Sequence, residues 1–354
     1  MSRKGIYDAL SCSFSESEVT WAGANPFSDG LTFGFEDGSL LFTDEIAGPG
    51  KFRQQVSKAG ESINGFANLG VNNLAVSTRA DVTFLDVGPD RPTAISTFSG
   101  GAHGVVATRS GFFVSALGAN GLLVVKPERG ENQLMRVTEG GNAGLYIYRA
   151  LALDNSEGLE ALVFATRRGG VGVSQFAGYE AVRNVHTITS SGLDIVDVCE
   201  VQTGTLAAAA ISIDGILLLF HDVLNQTRPV TIQLGGLEGT VYRILSSAGH
   251  LFVLTSKAIY VWHGLIEGLL KGNSTKESTP PVVMPKAAVE MNVYRDQLLL
   301  IVMAANEVQR IEIETIAQMA LKTSNHAERF VRTTLKPTWL EGDVKQSTFL
   351  ASVG

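Results

Sequence analysis

The chain has 354 residues, of which 45% are hydrophobic and 18% charged. That balance excludes a disordered chain and supplies a large core without disulfide or metal staples. The net charge is −7 and no basic stripe is visible, so neither nucleic acid nor an anionic membrane surface is an expected partner.

From the N-terminus, Arg3 and Lys4 are not followed by the apolar stretch of a secretory leader. Ile6 to Phe14 has few charges and reads as a strand. Val19 to Ala22 is the next candidate strand, followed by a hairpin: Leu31 to Phe35, the turn Glu36-Asp37-Gly38, then Ser39 to Asp44. Asp-Gly between two apolar runs favours a tight turn, because such turns need φ > 0. The same unit then recurs. Ile63 to Ala67 precedes Leu74 to Arg79 and Val82 to Asp86, which meet at Ala80. His103 to Thr108 precedes Phe112 to Leu117 and Leu122 to Val125, which meet at Asn120-Gly121. Ile147 to Ala152 precedes Leu162 to Thr166 and Val171 to Val173, which meet at Gly169-Gly170. Ile195 to Val198 precedes Ala207 to Ile211 and Ile216 to Phe220, which meet at Asp214-Gly215. Val241 to Leu245 precedes Leu251 to Thr255 and Ile259 to Trp262, which meet at Lys257. Val289 to Val293 precedes Leu298 to Val302 and Val308 to Ile313, which meet at Asn306-Glu307. Ser347 to Val353 reads as a last strand.

The turns at 38, 80, 121, 170, 215, 257 and 307 are spaced by 42, 41, 49, 45, 42 and 50 residues, a period near that of four-stranded repeating blades. Many of these strands are apolar throughout, as expected where sheets are covered on both faces. Two segments break the pattern. His263 to Lys271 and Thr315 to Lys322 carry apolar residues at helical spacing, and each is expected to cap a sheet edge.

The strand after each hairpin turn resembles the WD-repeat signature, in which Asp-Gly opens a strand that closes on Trp-Asp. Here the closing pairs are Thr43-Asp44, Leu85-Asp86, Phe220-His221 with Asp222 next, and Trp262-His263. The full dipeptide is absent, and only Ala102-His103 stands near the family's Gly-His position. The resemblance implies an all-β, seven-bladed β-propeller of four-stranded antiparallel blades, with short helical insertions near 263–272 and 315–323. The whole chain, 1–354, is then one domain. Its blades fall at approximately 16–50, 60–90, 98–130, 143–180, 190–228, 236–275 and 284–323. Segments 1–15 and 324–354 close or decorate the ring. Because the side-chain network of the family is missing, apolar packing is expected to hold the blades together.

Motifs for chemistry are absent. None of the six histidines pairs at metal-ligand spacing. Gly48-Pro49-Gly50-Lys51 lacks the first glycine of a phosphate loop, and Phe52 stands where Ser or Thr is needed. Gly170-Val171-Gly172 opens a strand rather than a helix. No catalytic set, cofactor or metal is expected. With two cysteines, Cys12 and Cys199, and the longest apolar run, Leu298 to Ala305, far short of a bilayer span, the protein reads as soluble and cytoplasmic.

The expected function is a rigid platform, a scaffold or adaptor that binds partner proteins through its loops. The alternative is a propeller hydrolase or lyase whose carboxylates, such as Glu36, Asp37, Asp214 and Glu307, converge on a channel; a third is a structural subunit of an assembly. In WD-type propellers the intrablade turns share one rim. That register gathers Glu36, Arg79, Asn120, Arg167, Arg168, Asp214, Lys257 and Asn306 as the candidate binding residues. Half of the eight are basic in an acidic protein, so an acidic partner segment is expected there. Three or more acidic or His side chains lining a wet channel would instead favour an enzyme.

Overall fold

The computed structural model describes residues 17–42, 52–55, 61–70, 73–87, 92–99, 102–127, 131–135, 138–139, 143–176, 186–187, 192–226, 228–272, 281–284, 288, 290–294, 297–302 and 307–313. Within them the chain is an all-β succession of antiparallel sheets. Sheet 1 is β1 (Val19–Ala24), β2 (Leu31–Phe35), β3 (Ser39–Phe42) and β4 (Phe52–Gln55); sheet 2 is β5 (Ile63–Leu69), β6 (Asn73–Thr78), β7 (Asp81–Val87) and β8 (Pro92–Ser99). Sheet 3 is β9 (Val105–Ala107), β10 (Phe113–Ala116), β11 (Leu122–Lys126) and β12 (Glu131–Met135), followed by the two-stranded β13 (Thr138–Glu139) and β14 (Ala143–Gly144). Sheet 4 is β15 (Ile147–Asp154), β16 (Glu160–Thr166), β17 (Val171–Phe176) and β18 (His186–Thr187); sheet 5 is β19 (Ile195–Glu200), β20 (Ala208–Ser212), β21 (Ile216–Phe220) and β22 (Val230–Gln233). Sheet 6 is β23 (Val241–Ser247), β24 (His250–Thr255), β25 (Ile259–His263) and β26 (Val282–Met284), with helix α1 (Leu265–Leu270) between its last two strands. Sheet 7 is β27 (Glu290–Tyr294), β28 (Gln297–Val302) and β29 (Glu307–Glu312).

In every sheet, hydrogen-bonded neighbours are consecutive in sequence. That follows from the short hairpins, since antiparallel strands need only a tight turn to join. The strands first in each sheet match the expected inner strands, and α1 matches the helical spacing read at His263 to Lys271. Glu307 is the first residue of β29 rather than a turn residue, because its Cα pairs with Val302. The second helical segment, the strands read at Ile6 to Phe14 and Ser347 to Val353, and the fourth strand of the last blade all fall outside the described residues.

The unbroken apolar strands have a direct explanation in the core. Along β16, Ala161, Val163 and Ala165 pack toward sheet 5 with Ala208, Ala210, Leu218 and Phe220. The alternate residues Leu162 and Phe164 pack toward sheet 3 with Phe112, Val114, Leu122 and Val124. Likewise in β24, Leu251 and Val253 face sheet 5 while Phe252 and Leu254 face sheet 7. Side chains two apart share a face, so a strand packed on both faces must be apolar at every position. α1 seals the edge of one such layer through Leu265, Ile266 and Leu269.

Gly172 is required at one of these layers. It lies directly across from Phe164 in the β16–β17 ladder, and a Cβ there would fall 1.9 Å from Phe164 Cε2. Gly172→Ala is therefore expected to cost about 1–3 kcal/mol by overpacking. Urea denaturation checks it: a loss below a few tenths of a kcal/mol would mean the ring has room to turn aside.

The inner strands carry the feature that positions the functional region. β1, β5, β15, β19 and β23 each have a bulge after their first residue, and bulges re-aim side chains. Several residues at or near these bulges, and Asn292 in β27, reach the neighbouring sheet. Thr20 Oγ1 donates to the Ile63 carbonyl at 2.8 Å. Asn64 Nδ2 donates to the Ala102 carbonyl at 2.8 Å while its Oδ1 accepts from Ser77 Oγ at 2.7 Å. The Ile244 amide donates to Asp197 Oδ2 at 2.9 Å. Asn292 Nδ2 donates to the Ala22 carbonyl at 3.2 Å, and the Tyr294 hydroxyl donates to the Asp29 carbonyl, bringing sheet 7 back against sheet 1. Apolar packing between sheets is as expected, and polar links are added to it at several junctions, built from Thr, Asn and Asp rather than from a His–Asp network.

Candidate binding face and central cavity

The β2–β3 type of turn is fixed by a recurring hydroxyl. Buried Thr78 accepts the amides of Ala80 and Asp81 on Oγ1 at 3.2 and 3.0 Å. Buried Thr255 does the same for Lys257 and Ala258 at 3.2 and 3.1 Å. Thr166 Oγ1 donates to the Gly170 carbonyl at 2.7 Å. With the turn's backbone held from inside, the residues that follow point outward. Glu36, Arg79, Asn120, Arg167, Arg168, Asp214 and Lys257 are all exposed; Asn306 lies outside the described residues.

These turns are stitched to the entrances of the inner strands. The Glu36 amide donates to Glu18, Arg167 to Tyr146, Ile213 to Asp194 and Ser256 to Thr240. Each next sheet is joined as well: Ala102 donates to Thr78, Ile147 to Gly118, and Gly192 to Arg168. The turns that carry Glu36, Arg167, Asp214 and Lys257 are thus tied to the ends of their sheets where the inner strands begin. Three of the four basic ones, Arg79, Arg167 and Arg168, stand on sheets 2 and 4, either side of sheet 3. Glu36 and Asp214 stand on sheets 1 and 5, beyond them. Arg168 holds φ at 59°, a left-handed conformation that costs a non-glycine residue about 1–2 kcal/mol. Its carbonyl accepts from Gly192 at 2.7 Å.

His103, noted in the sequence beside Ala102, joins Tyr146 and Tyr148 in an aromatic group within electrostatic reach of Arg79 and Arg167. Tyr146 Oη and His103 Nε2 are 2.8 Å apart, and the Tyr146 ring is 5.4 Å from His103 and 5.2 Å from Tyr148. Burial, then Arg149 and Arg79, hold the His103 imidazole below its ordinary value. Burial, then Asp194, push the Tyr148 hydroxyl up. His250, on the opposite end of sheet 6, is also held down, by burial first and by His263. An unfolded chain takes protons at about pH 6.5 on such groups, before the folded one does. Stability is thus full above that pH and falls as pH drops through it toward the lower folded values. Urea midpoints at pH 7.5 and 5.5 check this: the loss at 5.5 should shrink in His250→Gln, and an unchanged loss would assign it elsewhere.

Below this face, residues of all seven inner strands enclose a cavity of about 550 Å³. Its lining is uneven. From sheets 4 and 6 it includes Arg149 and Arg243, which are ion-paired with Asp197 of sheet 5 and Glu290 of sheet 7. Asp197 is fully buried, accepts from Arg243 Nη1 on both oxygens at 3.1 Å and is ion-paired with Arg149 Nε at 3.2 Å. Glu290 accepts from Arg149 Nη2 at 3.2 Å and from Arg243 Nε. Arg149, Asp197 and Arg243 each follow the bulge of their strand, so one backbone device aims all three at the axis. On sheets 1 to 3 the lining is Trp21, Asn64, Gly65, Phe66, His103, Gly104, Val105 and Val106. Single charges inside otherwise apolar strands, such as Asp197 in Ile-Val-Asp-Val-Cys, were the available signal for the quartet, visible only once the strands are aligned by their bulges.

The acidic and histidine side chains on the cavity wall are His103 and Glu200. Asp197 and Glu290 are taken by guanidinium groups, and among the described residues no group of three or more potential metal ligands is present. Glu36, Asp37 and Asp214 do not line the cavity, and Asp37 bonds the amide and hydroxyl of Ser39 within its own turn. Cys199 is buried in β19, where burial and then Asp197 push its thiol up, so it is not poised as a thiolate. No helix among the described residues is long and apolar enough to cross a membrane.

No family model matches the chain, and no curated protein matches it. Solved structures do. RRP9 WD40 repeats superpose with a TM-score of 0.58 at 13% identity, covering 81% of this chain and 88% of that one. U3-55K gives 0.57 at 13% over 81% and 89%, and the computationally designed Ika8 protein 0.56 at 13% over 84% of each. At this identity the likeness speaks to architecture. With antiparallel sheets in sequence order around one cavity, it gives the chain the fold of a divergent WD-repeat β-propeller.

Proposed function

We propose that this chain is a soluble, cytoplasmic, seven-bladed propeller that serves as a scaffold or adaptor, capturing a partner protein through an acidic segment laid across the turn face of sheets 2 to 4. WD-repeat architecture suits such a role, since loops held on a rigid frame carry binding. The observation that carries the reading is the placement of exposed Arg79, Arg167 and Arg168 around His103, Tyr146 and Tyr148. In a protein of net charge −7, this arc attracts a negative segment while the rest of the surface repels it. The tyrosines supply flat amphipathic contact area between the charges. Arg168 is held in a costly backbone conformation at this arc, as often happens where a side chain serves binding rather than stability.

Affinity purification with mass spectrometry tests it, followed by size-exclusion chromatography of the complex. A partner carrying an acidic segment should co-elute at fixed stoichiometry and be lost from Arg79→Glu/Arg167→Glu/Lys257→Glu. Retention by that variant would move the binding surface off the turn face.

A further inference from the structure

We propose that the central cavity is a binding site for a small organic monocarboxylate with a flat apolar body. Its carboxylate sits on Arg149 and Arg243, and its body lies against Trp21 and Phe66. The case begins with hydrogen-bond accounting. Each guanidinium has five N–H donors. Arg149 uses Nε and Nη2, and Arg243 uses Nε and Nη1, on Asp197 and Glu290. The acceptors are well used: Asp197 Oδ2 also takes the Ile244 amide, and Glu290 Oε1 also takes the Met291 amide. Arg149 Nη1 and Arg243 Nη2 have no acceptor among the described residues. Neither nitrogen is sealed from solvent, since among the described residues the buried side-chain atom without a partner is Asp194 Oδ1 alone. Both arginines line the cavity. The quartet is rich in donors, and what it lacks is an oxygen.

Space is provided beside those donors. Gly65 follows its strand's bulge at the place where sheets 1, 4, 5 and 6 put Trp21, Arg149, Asp197 and Arg243. A Cβ on Gly65 would come within 2.9 Å of Gly104 Cα, and one on Gly104 would stand 4.0 Å from Arg149 Nη1. Gly65 thus lets the Gly104 backbone pack close, while Gly104, with no side chain, leaves the wall open beside Arg149 Nη1. Trp21 and Phe66, with ring centroids 5.4 Å apart, and Val105 and Val106 complete this apolar side.

Charge then selects the ligand. The quartet is neutral and Glu200 adds a carboxylate to the wall, so a dianion such as a phosphate monoester is disfavoured more than a monoanion. A single carboxylate can span the one free nitrogen on each guanidinium, Arg149 Nη1 and Arg243 Nη2, and a volume of about 550 Å³ suits a small organic molecule.

Calorimetric titration of the full chain with 2-naphthoate, 2-naphthamide and 2-naphthyl phosphate tests the site. The naphthoate should bind one-to-one, with the amide and the phosphate weaker by about tenfold or more. Arg149→Lys keeps the charge but loses the planar set of donors and should weaken the naphthoate about tenfold, with a lower melting temperature because Arg149 also belongs to the buried quartet. Should that variant fail to fold, hydrogen exchange on the wild type decides, with naphthoate expected to protect β1, β15 and β23. Absent or non-saturable naphthoate binding, equal binding of the amide, undiminished binding by Arg149→Lys, or protection outside the inner strands would each overturn the proposal. Capture of an acidic protein at the turn face is read separately, so the two proposals fail independently.

Discussion

Asp197→Ala is expected to remove about 3–5 kcal/mol of stability, because it strips the shared acceptor from two guanidinium groups inside the protein. The Asp197 side chain is fully buried and joins sheets 4, 5 and 6 through Arg149, Arg243 and the Ile244 amide. Its loss leaves positive charges facing each other with Glu290 as their remaining counter-ion. Breaking one member of a buried network costs far more than the intact network contributes. Asp197→Asn retains an acceptor and should fall between wild type and Ala. The effect has a pH signature through Glu290. Burial pushes its carboxyl up, but Arg243 and Arg149 outweigh that and hold it below the usual carboxylate range. Its contribution is present above the unfolded value of about 4.3 and is lost as pH falls through the lower folded one. Urea denaturation at pH 7 and pH 4 measures both. A cost under about 1 kcal/mol for Asp197→Ala would mean that water screens the quartet as it does a surface pair.

Phe220→Ala should cost a similar amount, about 3–5 kcal/mol, by cavity formation. Its ring is fully buried between sheets 4 and 5, with Val163, Ala208, Leu218 and Val223 around it. Trp262 belongs to the next layer with Tyr260, Leu251 and Leu265, and Trp262→Ala should be comparable. Trp21 is also buried, beside Phe66 and Phe42. Its ring lines the open cavity, so Trp21→Ala should cost less than Trp262→Ala. Equal losses at Trp21 and Trp262 would mean that the cavity wall is as tightly packed as the layers between sheets.

The sequence disclosed the repeat because each hairpin is a local event. Asp37-Gly38, Asn120-Gly121 and Asp214-Gly215 put glycine at φ of 81°, 91° and 81°, which the residue types alone anticipate. The exposed turn residues followed from the same register. The quartet did not follow, because it depends on pairings between residues 46 to 141 positions apart and on bulges that leave no residue signature. The β13–β14 ribbon was missed as well: two-residue strands have no period, and only the 49-residue step hinted at inserted chain. Asn64 and Asn292 as latches between sheets were illegible for a related reason. An asparagine in a strand reads as a breaker until the neighbouring carbonyl it serves is known.

The attraction of the turn face for acidic segments is the central claim, and the salt dependence of one binding reaction tests it most directly. A fluorescein-labelled octa-glutamate peptide, titrated by anisotropy at rising salt, should bind the wild type and weaken steeply as exposed charges are screened. Arg79→Glu/Arg167→Glu/Lys257→Glu, exposed substitutions expected to change stability by only about 0.5 kcal/mol each, should bind weakly at all salt concentrations with a flat dependence. Equal binding and an equal salt slope in the two proteins would contradict the account.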